Sequence, residues 1–389
     1  MLNVVLLGLV SFFSDVSSEM VYPIIPLYLV NVFGATPAMV GIIEGIAESL
    51  ASILKVFSGH IADKYRHKKP MAFIGYSGGV FYKVALVFAT SWVGILGARV
   101  IDRLGKGIRT APRDVLVCES APQGNLGKAF GLHKAMDMAG SAVGILISFF
   151  LVKFSVGAFN YKNLFIISAI PAVIGLIVLS SVKEKKLPRC EEKRENFFKN
   201  FKKLDIRLKL FLFIAFLFTL GNSSNAFLLL RAQNKGFSES SVIMLYFIYN
   251  VSASVFAMPL GKLSDKIGRK RLLVLAYVVF AFVYFGFAVA PNKASIVVMF
   301  FAYGIYTAMN AGAERAFIAE ISPKELKGTM LGLDSSLVGI ALLPASTIAG
   351  FLWDAISPAA PFFFGGSLAL AAAVGLYFAM KTPVKSVSV

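Results

Sequence analysis

Residues 261–271 read GKLSDKIGRKR, and residues 59–69 read GHIADKYRHKK, 202 positions earlier. Each run is basic, carries glycine, aspartate and lysine at one spacing, and follows a long apolar segment. A second pair of loops repeats at almost the same distance. Pro122, Gly127 and Gly131 correspond to Pro323, Gly328 and Gly332, 201 positions on, and Glu119 corresponds to Glu320. A repeat of half the chain length implies two related units that face one another.

The rest of the chain says what those units are made of. Its 389 residues are 57% hydrophobic and only 15% charged, with a mean hydropathy of +0.74. Soluble domains carry about a quarter charged residues, so this composition excludes an ordinary soluble protein. Twelve apolar segments are long enough to cross a bilayer, near residues 4–30, 37–61, 70–90, 92–117, 128–152, 162–182, 209–231, 239–262, 272–290, 294–319, 329–352 and 360–380. Most linkers between them are short. The exception, 183–208, is rich in lysine and arginine and divides the chain into six spans (1–182) and six spans (209–389). The fold expected is all-α, with twelve transmembrane helices in two pseudo-symmetric six-helix bundles.

The net charge of +18 is a topological signal. With both termini in the cytoplasm, 25 lysines and arginines fall in cytoplasmic loops and tails and four, Lys153, Lys162, Lys235 and Lys293, fall outside. Such a bias fixes orientation and attracts anionic lipid, so no nucleic-acid partner is needed to explain the charge. The first segment lacks a basic leader and holds Asp15 and Glu19, and it reads as a retained helix in a multi-pass plasma-membrane protein. Cys118 and Cys190 fit neither a disulfide frame nor a zinc site, and His60, His67 and His133 form no metal spacing. Gly105-Lys106-Gly107 lacks the spacing of a phosphate loop. No nucleophile–base arrangement supports an enzyme, and neither cofactor nor metal is expected.

With the repeated Gly-x-x-x-Asp-Lys loops on the page, the chain resembles the major facilitator superfamily. Gly261, Asp265, Lys266, Gly268 and Arg269 fit the family loop well. Gly59, Asp63 and Lys64 also fit, but Arg66 and His67 stand where glycine and arginine are usual. The resemblance implies alternating access by rocking of the two bundles, with these loops biasing one state over the other. The glycines would let helix ends approach their neighbours. Asp63 and Asp265 would cap a following helix or pair with a cation across the bundle. The segments FSDVSSEMVYPIIPLYL (13–29), GIIEGIAES (41–49), RVIDRLGKGIRTAPRD (99–114) and GLHKAMD (131–137) resemble a mostly uncharacterised archaeal and bacterial branch. Drug–proton antiporters of the superfamily carry a Gly-Pro signature in span 5. Here span 5 reads MAGSAVGILISF, with Gly140 and Gly144 but no proline.

Charges inside the spans point to function, because an ionisable residue in hydrocarbon is costly unless it faces a cavity or a partner. In span 1, Asp15 and Glu19 share a face, and Pro23 and Pro26 follow. Span 2 places Glu44, Glu48 and Lys55 on one face. In span 4, Arg99, Arg103, Lys106, Arg109 and Arg113 lie at about 0°, 40°, −20°, −80° and −40° around a helix. Pro112 predicts that this helix ends there, leaving Arg109 and Arg113 at the cytoplasmic interface. Asn222 to Asn225 in span 7 read as the neutral counterpart of Asp15 to Glu19. Glu314 and Arg315 in span 10 are a charge-swapped counterpart of Arg113 and Asp114. The second half therefore reads as supplying shape and neutral polar contacts, and the first half the ion chemistry.

Three uses of these charges stay open: a carboxylate in span 1 or 2 as proton carrier, the span 4 cations as an anion site, or the carboxylates as a cation site. A fixed network of self-neutralising charges is the competing account. The function expected is a monomeric secondary transporter that moves a small organic solute, coupled to protons. The alternatives are a multidrug or cation exporter of the same fold and a non-transporting membrane sensor. The topology is checked by reporter fusions: alkaline phosphatase fused within 183–208 should be inactive, and at Lys235 or Lys293 active; the reverse pattern would invert the orientation.

Overall fold

The structure is a computed structural model that describes residues 2–64, 68–121, 126–155, 159–184, 206–322 and 327–379. Fourteen helices and no strand occur among the described residues. They build the twelve expected spans, because spans 1 and 7 are each broken in two. Span 1 is Leu2–Val21 and Ile25–Phe33; spans 2 to 6 are Pro37–Lys64, Lys68–Phe88, Trp92–Ser120, Leu126–Lys153 and Tyr161–Ser180. Span 7 is Ile206–Gly221 and Ala226–Asn234; spans 8 to 12 are Glu239–Ile267, Arg269–Val289, Lys293–Ile321, Lys327–Ala355 and Ala360–Ala379.

Eleven of the twelve are long and apolar enough to cross a membrane by length and composition. The exception is Trp92–Ser120, the span with the cationic row, whose charges disqualify it. It is nevertheless a continuous helix of 29 residues, and it runs through Pro112 to Ser120. Proline at 112 removes one amide donor, but neighbouring helices hold the span in place, so the expected helix end at Pro112 is not found.

The two halves repeat each other element by element. Spans 4 and 10 begin 201 residues apart, as do spans 3 and 9 and spans 5 and 11. Spans 1, 3 and 5 start on the same side of the molecule as the termini, and spans 2, 4 and 6 return to it. At the opposite end the turns are short, and side-chain caps start the next helix: Ser91 on Gly94, Asn160 on Lys162, Ser238 on Ser241 and Asn292 on Ser295.

Small residues set the closest packing. Gly140 and Gly144 of span 5 lie four apart on the face against span 1, where an added Cβ would strike the carbonyls of Phe12 and Val16. Between the halves, Gly41 and Gly45 of span 2 seat the backbone of span 11 at Ser346 and Leu343 in the same way. With no hydrophobic drive between helices in lipid, such close approach is a main source of helix association. Spans 2 and 11 and spans 5 and 8 make the principal contacts between the halves.

A group of side-chain bonds between the halves lies at the end opposite the termini. Asn31 Nδ2 donates to Glu239 Oε1 at 2.7 Å, and Gln233 Nε2 donates to Asn31 Oδ1 at 2.9 Å. The Tyr161 hydroxyl donates to the same Glu239, and the Ala38 amide donates to Asp354 at 3.0 Å. A band of side-chain bonds thus joins the two halves at this end.

Substituting Gly144→Val should lower thermal stability by about 1–3 kcal/mol or more, because the Val16 carbonyl cannot give way without moving span 1. A melting temperature equal to the parent's would show that spans 1 and 5 are not in close contact.

Candidate functional site

Side chains of spans 8 and 10 link the breaks in spans 1 and 7. In span 1, Pro23 and Pro26 carry no amide hydrogen, so the carbonyls of Glu19 and Tyr22 lose the donors that a continuous helix would give them. In span 7 the chain leaves the helix at Asn222 and re-enters it at Ala226. Asn222 to Asn225 therefore correspond to the break at Tyr22 to Ile24, one turn beyond the DVSSE position at which the sequence placed them. Open backbone at mid-membrane is tolerated where it lines a cavity or is covered by protein.

Tyrosines surround both breaks. Tyr22 stacks on Tyr246 with ring centres 5.5 Å apart, Tyr246 neighbours Tyr249 at 5.6 Å, and Tyr249 neighbours Tyr303 at 5.2 Å. The Tyr303 hydroxyl donates to Asn225 Oδ1 at 2.9 Å, and Asn222 Nδ2 donates to the Tyr306 hydroxyl at 3.3 Å. The tyrosine signal was present in the sequence, but its convergence from spans 1, 8 and 10 on one point depends on the fold.

The cationic row of span 4 is mostly engaged. Arg99 is 2% exposed and is bonded to Glu44, 1% exposed, with its guanidinium 5.6 Å from the centre of the Tyr22 ring. Arg103 pairs with Glu48 at 2.8 Å and lies 3.7 Å from Asp102. The Arg109 guanidinium donates to Ser14 Oγ at 2.6 Å and lies 4.4 Å over the Tyr76 ring. Arg109 is buried, which corrects the expectation that it sits at the interface. Arg113 is half-buried and bonds its neighbour Asp114 at 2.8 Å. Lys106, expected among the deeper cations, is exposed, yet its charge acts on both Asp15 and Glu19.

Asp15 and Glu19 differ from the span 2 carboxylates. Neither forms an ion pair within 4 Å among the described residues, whereas Glu44 and Glu48 each hold an arginine. Glu19 instead accepts a hydrogen bond from the Tyr246 hydroxyl at 3.1 Å, across the boundary between the halves. One turn away, Asp15 lies in the fields of Asp137, Arg109 and Lys106. Beside it His133 is joined to two side chains that the sequence did not single out: His133 Nε2 to Ser11 Oγ at 2.9 Å, and Ser11 to the Tyr76 hydroxyl at 3.3 Å.

The repeated loops keep only part of their expected roles. Gly261 has open space around it and Asp265 is exposed. Gly268 is the N-cap of span 9, with no side-chain cap, so Asp265 does not cap that helix. Lys266 is exposed as well, and Gly268 turns the chain with φ 92°. Arg269 reaches span 10, donating to Glu320 and to the Ala316 carbonyl at 3.3 Å. Its counterpart 201 residues earlier, Lys68, pairs with Glu119 at 3.5 Å. The side chains of Lys55, Asp63 and Lys64 and the surroundings of Gly59 lie outside the described residues, as do Arg66, His67 and Cys190. In the second half Glu314 is partly buried and Arg315 exposed. Arg231 binds the carbonyls of Phe287 and Ala288 at 3.1 and 2.9 Å, closing the end of span 9.

Comparison with known proteins agrees with this geometry. The model of the Major Facilitator Superfamily matches residues 7–229 and 210–388. An uncharacterized MFS-type transporter of Methanocaldococcus jannaschii is 38% identical over 382 residues, 97% of this chain and 94% of that one. The multi-drug resistance efflux pump PmrA of Streptococcus pneumoniae is 24% identical over 81% of this chain and 80% of its own length. A crystal structure of the nucleoside transporter NupG superposes with a TM-score of 0.81 at 13% identity, covering 98% of this chain and 100% of that one. The chain belongs to the Major Facilitator Superfamily, a family of membrane transporters and not of enzymes.

The Arg99–Glu44 pair sets a stability test. Arg99→Gln should cost about 3–5 kcal/mol by leaving Glu44 buried and unpaired, and adding Glu44→Gln should restore much of the loss. Additive losses in the double variant, measured by thermal unfolding, would show that the two side chains do not act as a pair.

Proposed function

We propose that this chain is a secondary active transporter of the plasma membrane that moves a small organic solute by alternating access, with proton movement coupled through Asp15 and Glu19. The observation that carries this reading is Glu19. It is a carboxylate without an ion-pair partner among the described residues, placed at the break in span 1 and bonded to Tyr246 of the other half. A charge so placed is costly, and a proton removes the cost. Rocking of residues 1–182 against 209–389 about the 183–208 linker would break the Glu19–Tyr246 bond. Because that bond joins Glu19 to the other half, protonation of Glu19 and conformation are linked.

Several observations support the details. The tyrosine and asparagine side chains around the two breaks suit a solute with a flat or hydroxylated face and groups that accept and donate hydrogen bonds. Glu44, Glu48, Arg99 and Arg103 act as the fixed, mutually neutralised wall of that site, with Tyr22 over Arg99. With the termini in the cytoplasm, the band from Asn31 to Glu239 would serve as the outer gate. Arg269–Glu320 and Lys68–Glu119 brace the cytoplasmic ends of spans 3–4 and 9–10 as units that move together.

Export of drugs is the second reading, favoured by the likeness to the pneumococcal pump. Against it, span 5 lacks the Gly-Pro signature, and its Gly140 and Gly144 pack on span 1.

Protein reconstituted in liposomes, with a pH gradient imposed, should accumulate a solute from a metabolite mixture. Asp15→Asn with Glu19→Gln should abolish the gradient-driven accumulation and leave solute exchange. Full accumulation in that double variant would remove both residues from the coupling, and gradient-driven movement of cationic dyes alone would favour the export reading.

A further inference from the structure

The offset of 201 residues relates a cluster in the first half to one in the second. Tyr76, Arg109, Arg113 and His133 correspond to Tyr277, Asn310, Glu314 and Asp334. In the first half the polar groups largely satisfy one another, with Asp137 Oδ1 left without a hydrogen bond. Arg109 lies on Tyr76 and bonds Ser14, Arg113 bonds Asp114, and His133 bonds Ser11 with Asp137 3.6 Å away. In the second half the fold keeps the tyrosine and replaces the two arginines and the histidine with one amide and two carboxylates.

Those oxygens are left short of donors. Asn310 Nδ2 donates to Glu314 Oε2 at 2.9 Å, which leaves Asn310 Oδ1 buried without a hydrogen bond. Asp334, 8% exposed, has Oδ1 buried and without a hydrogen bond. The Tyr277 hydroxyl has none either, although the residue is fully buried and its ring is fixed by stacking on Phe218 at 3.9 Å. That hydroxyl lies in the fields of both Glu314 and Asp334. Arg315 is the neighbouring cation and its charge reaches both carboxylates. It is exposed, however, and makes no ion pair within 4 Å with either among the described residues.

We propose that Glu314, Asp334, Asn310 and Tyr277 form a binding site for a monovalent metal cation of the sodium type, separate from Asp15 and Glu19. The donor set is all oxygen, which suits a hard cation. The unsatisfied acceptors at Asn310 and Asp334 belong to residues linked to one another, Asn310 by its bond to Glu314 and Asp334 by its charge acting on Glu314 and Tyr277; one proton serves only one of them, whereas a metal ion contacts several at once. Two carboxylates against Arg315 leave a single negative charge, which a monovalent ion balances. In the first half, Arg109 and Arg113 supply the positive charge themselves.

The test uses the full chain purified in detergent, without solute, with sodium chloride compared with choline chloride at equal ionic strength. Sodium should raise the melting temperature saturably, and radioactive sodium should bind in equilibrium dialysis. Glu314→Gln and Asp334→Asn should each abolish both effects, and Tyr277→Phe, which keeps the stacked ring, should weaken them. Asp15→Asn with Glu19→Gln should leave them intact, so sodium binding is judged independently of proton coupling. Equal stabilisation by both salts, or a sodium response that survives in Glu314→Gln and Asp334→Asn, would overturn the assignment.

Discussion

A charge inside the hydrocarbon layer has to be neutralised by the protein itself, and the buried pair of Arg99 and Glu44 is where this constraint bears hardest. Span 4 would not sit in a bilayer on its own composition. It does so because span 2 presents Glu44 and Glu48 at the height of Arg99 and Arg103, and because Ser14 and Tyr76 receive Arg109. The positions of spans 1, 2, 3 and 4 are therefore tied to one another through polar contacts that leave little freedom of register. With those cations occupied, Asp15 and Glu19 of span 1 form no ion pair with them among the described residues, unlike Glu44 and Glu48 of span 2.

The second half applies the same scaffold to different chemistry. Its spans begin at the same intervals, its first span breaks at the same point, and its Arg269–Glu320 contact repeats Lys68–Glu119. Almost all the deep cations are gone. Phe300, Gly304, Thr307 and Asn310 stand where the first half has Arg99, Arg103, Lys106 and Arg109. Stacked aromatics take over the packing, with Phe218, Tyr277, Phe280, Tyr284 and Tyr306 in mutual contact. The expectation that the second half supplies shape and neutral contacts describes this aromatic core well. It does not extend to the carboxylates of Glu314 and Asp334, which come together from spans 10 and 11.

Much of the fold was legible because its signals are local. Twelve apolar runs, two basic loops and a repeat distance need only one-dimensional reading. The site was legible in part. Period 3.6 put Asp15 with Glu19 and Glu44 with Glu48 on shared faces, but it gave no account of which cation each face meets. Pro112 misled, because the rule that proline ends a helix holds where water competes for the freed carbonyl, and in a membrane bundle the helix is the better solution. Asn222 to Asn225 misled through composition: a polar patch resembled DVSSE, while the backbone break makes it the partner of Tyr22 to Ile24.

That this is an all-α membrane protein of two related halves follows from the chain in one dimension, because hydrophobic length and the repeat of charged loops are written there. Which charges are paired and which are left open follows from the packing. Pairing depends on the rotation and depth of neighbouring helices, and those are set by close glycine contacts and side-chain bonds between residues far apart in the chain.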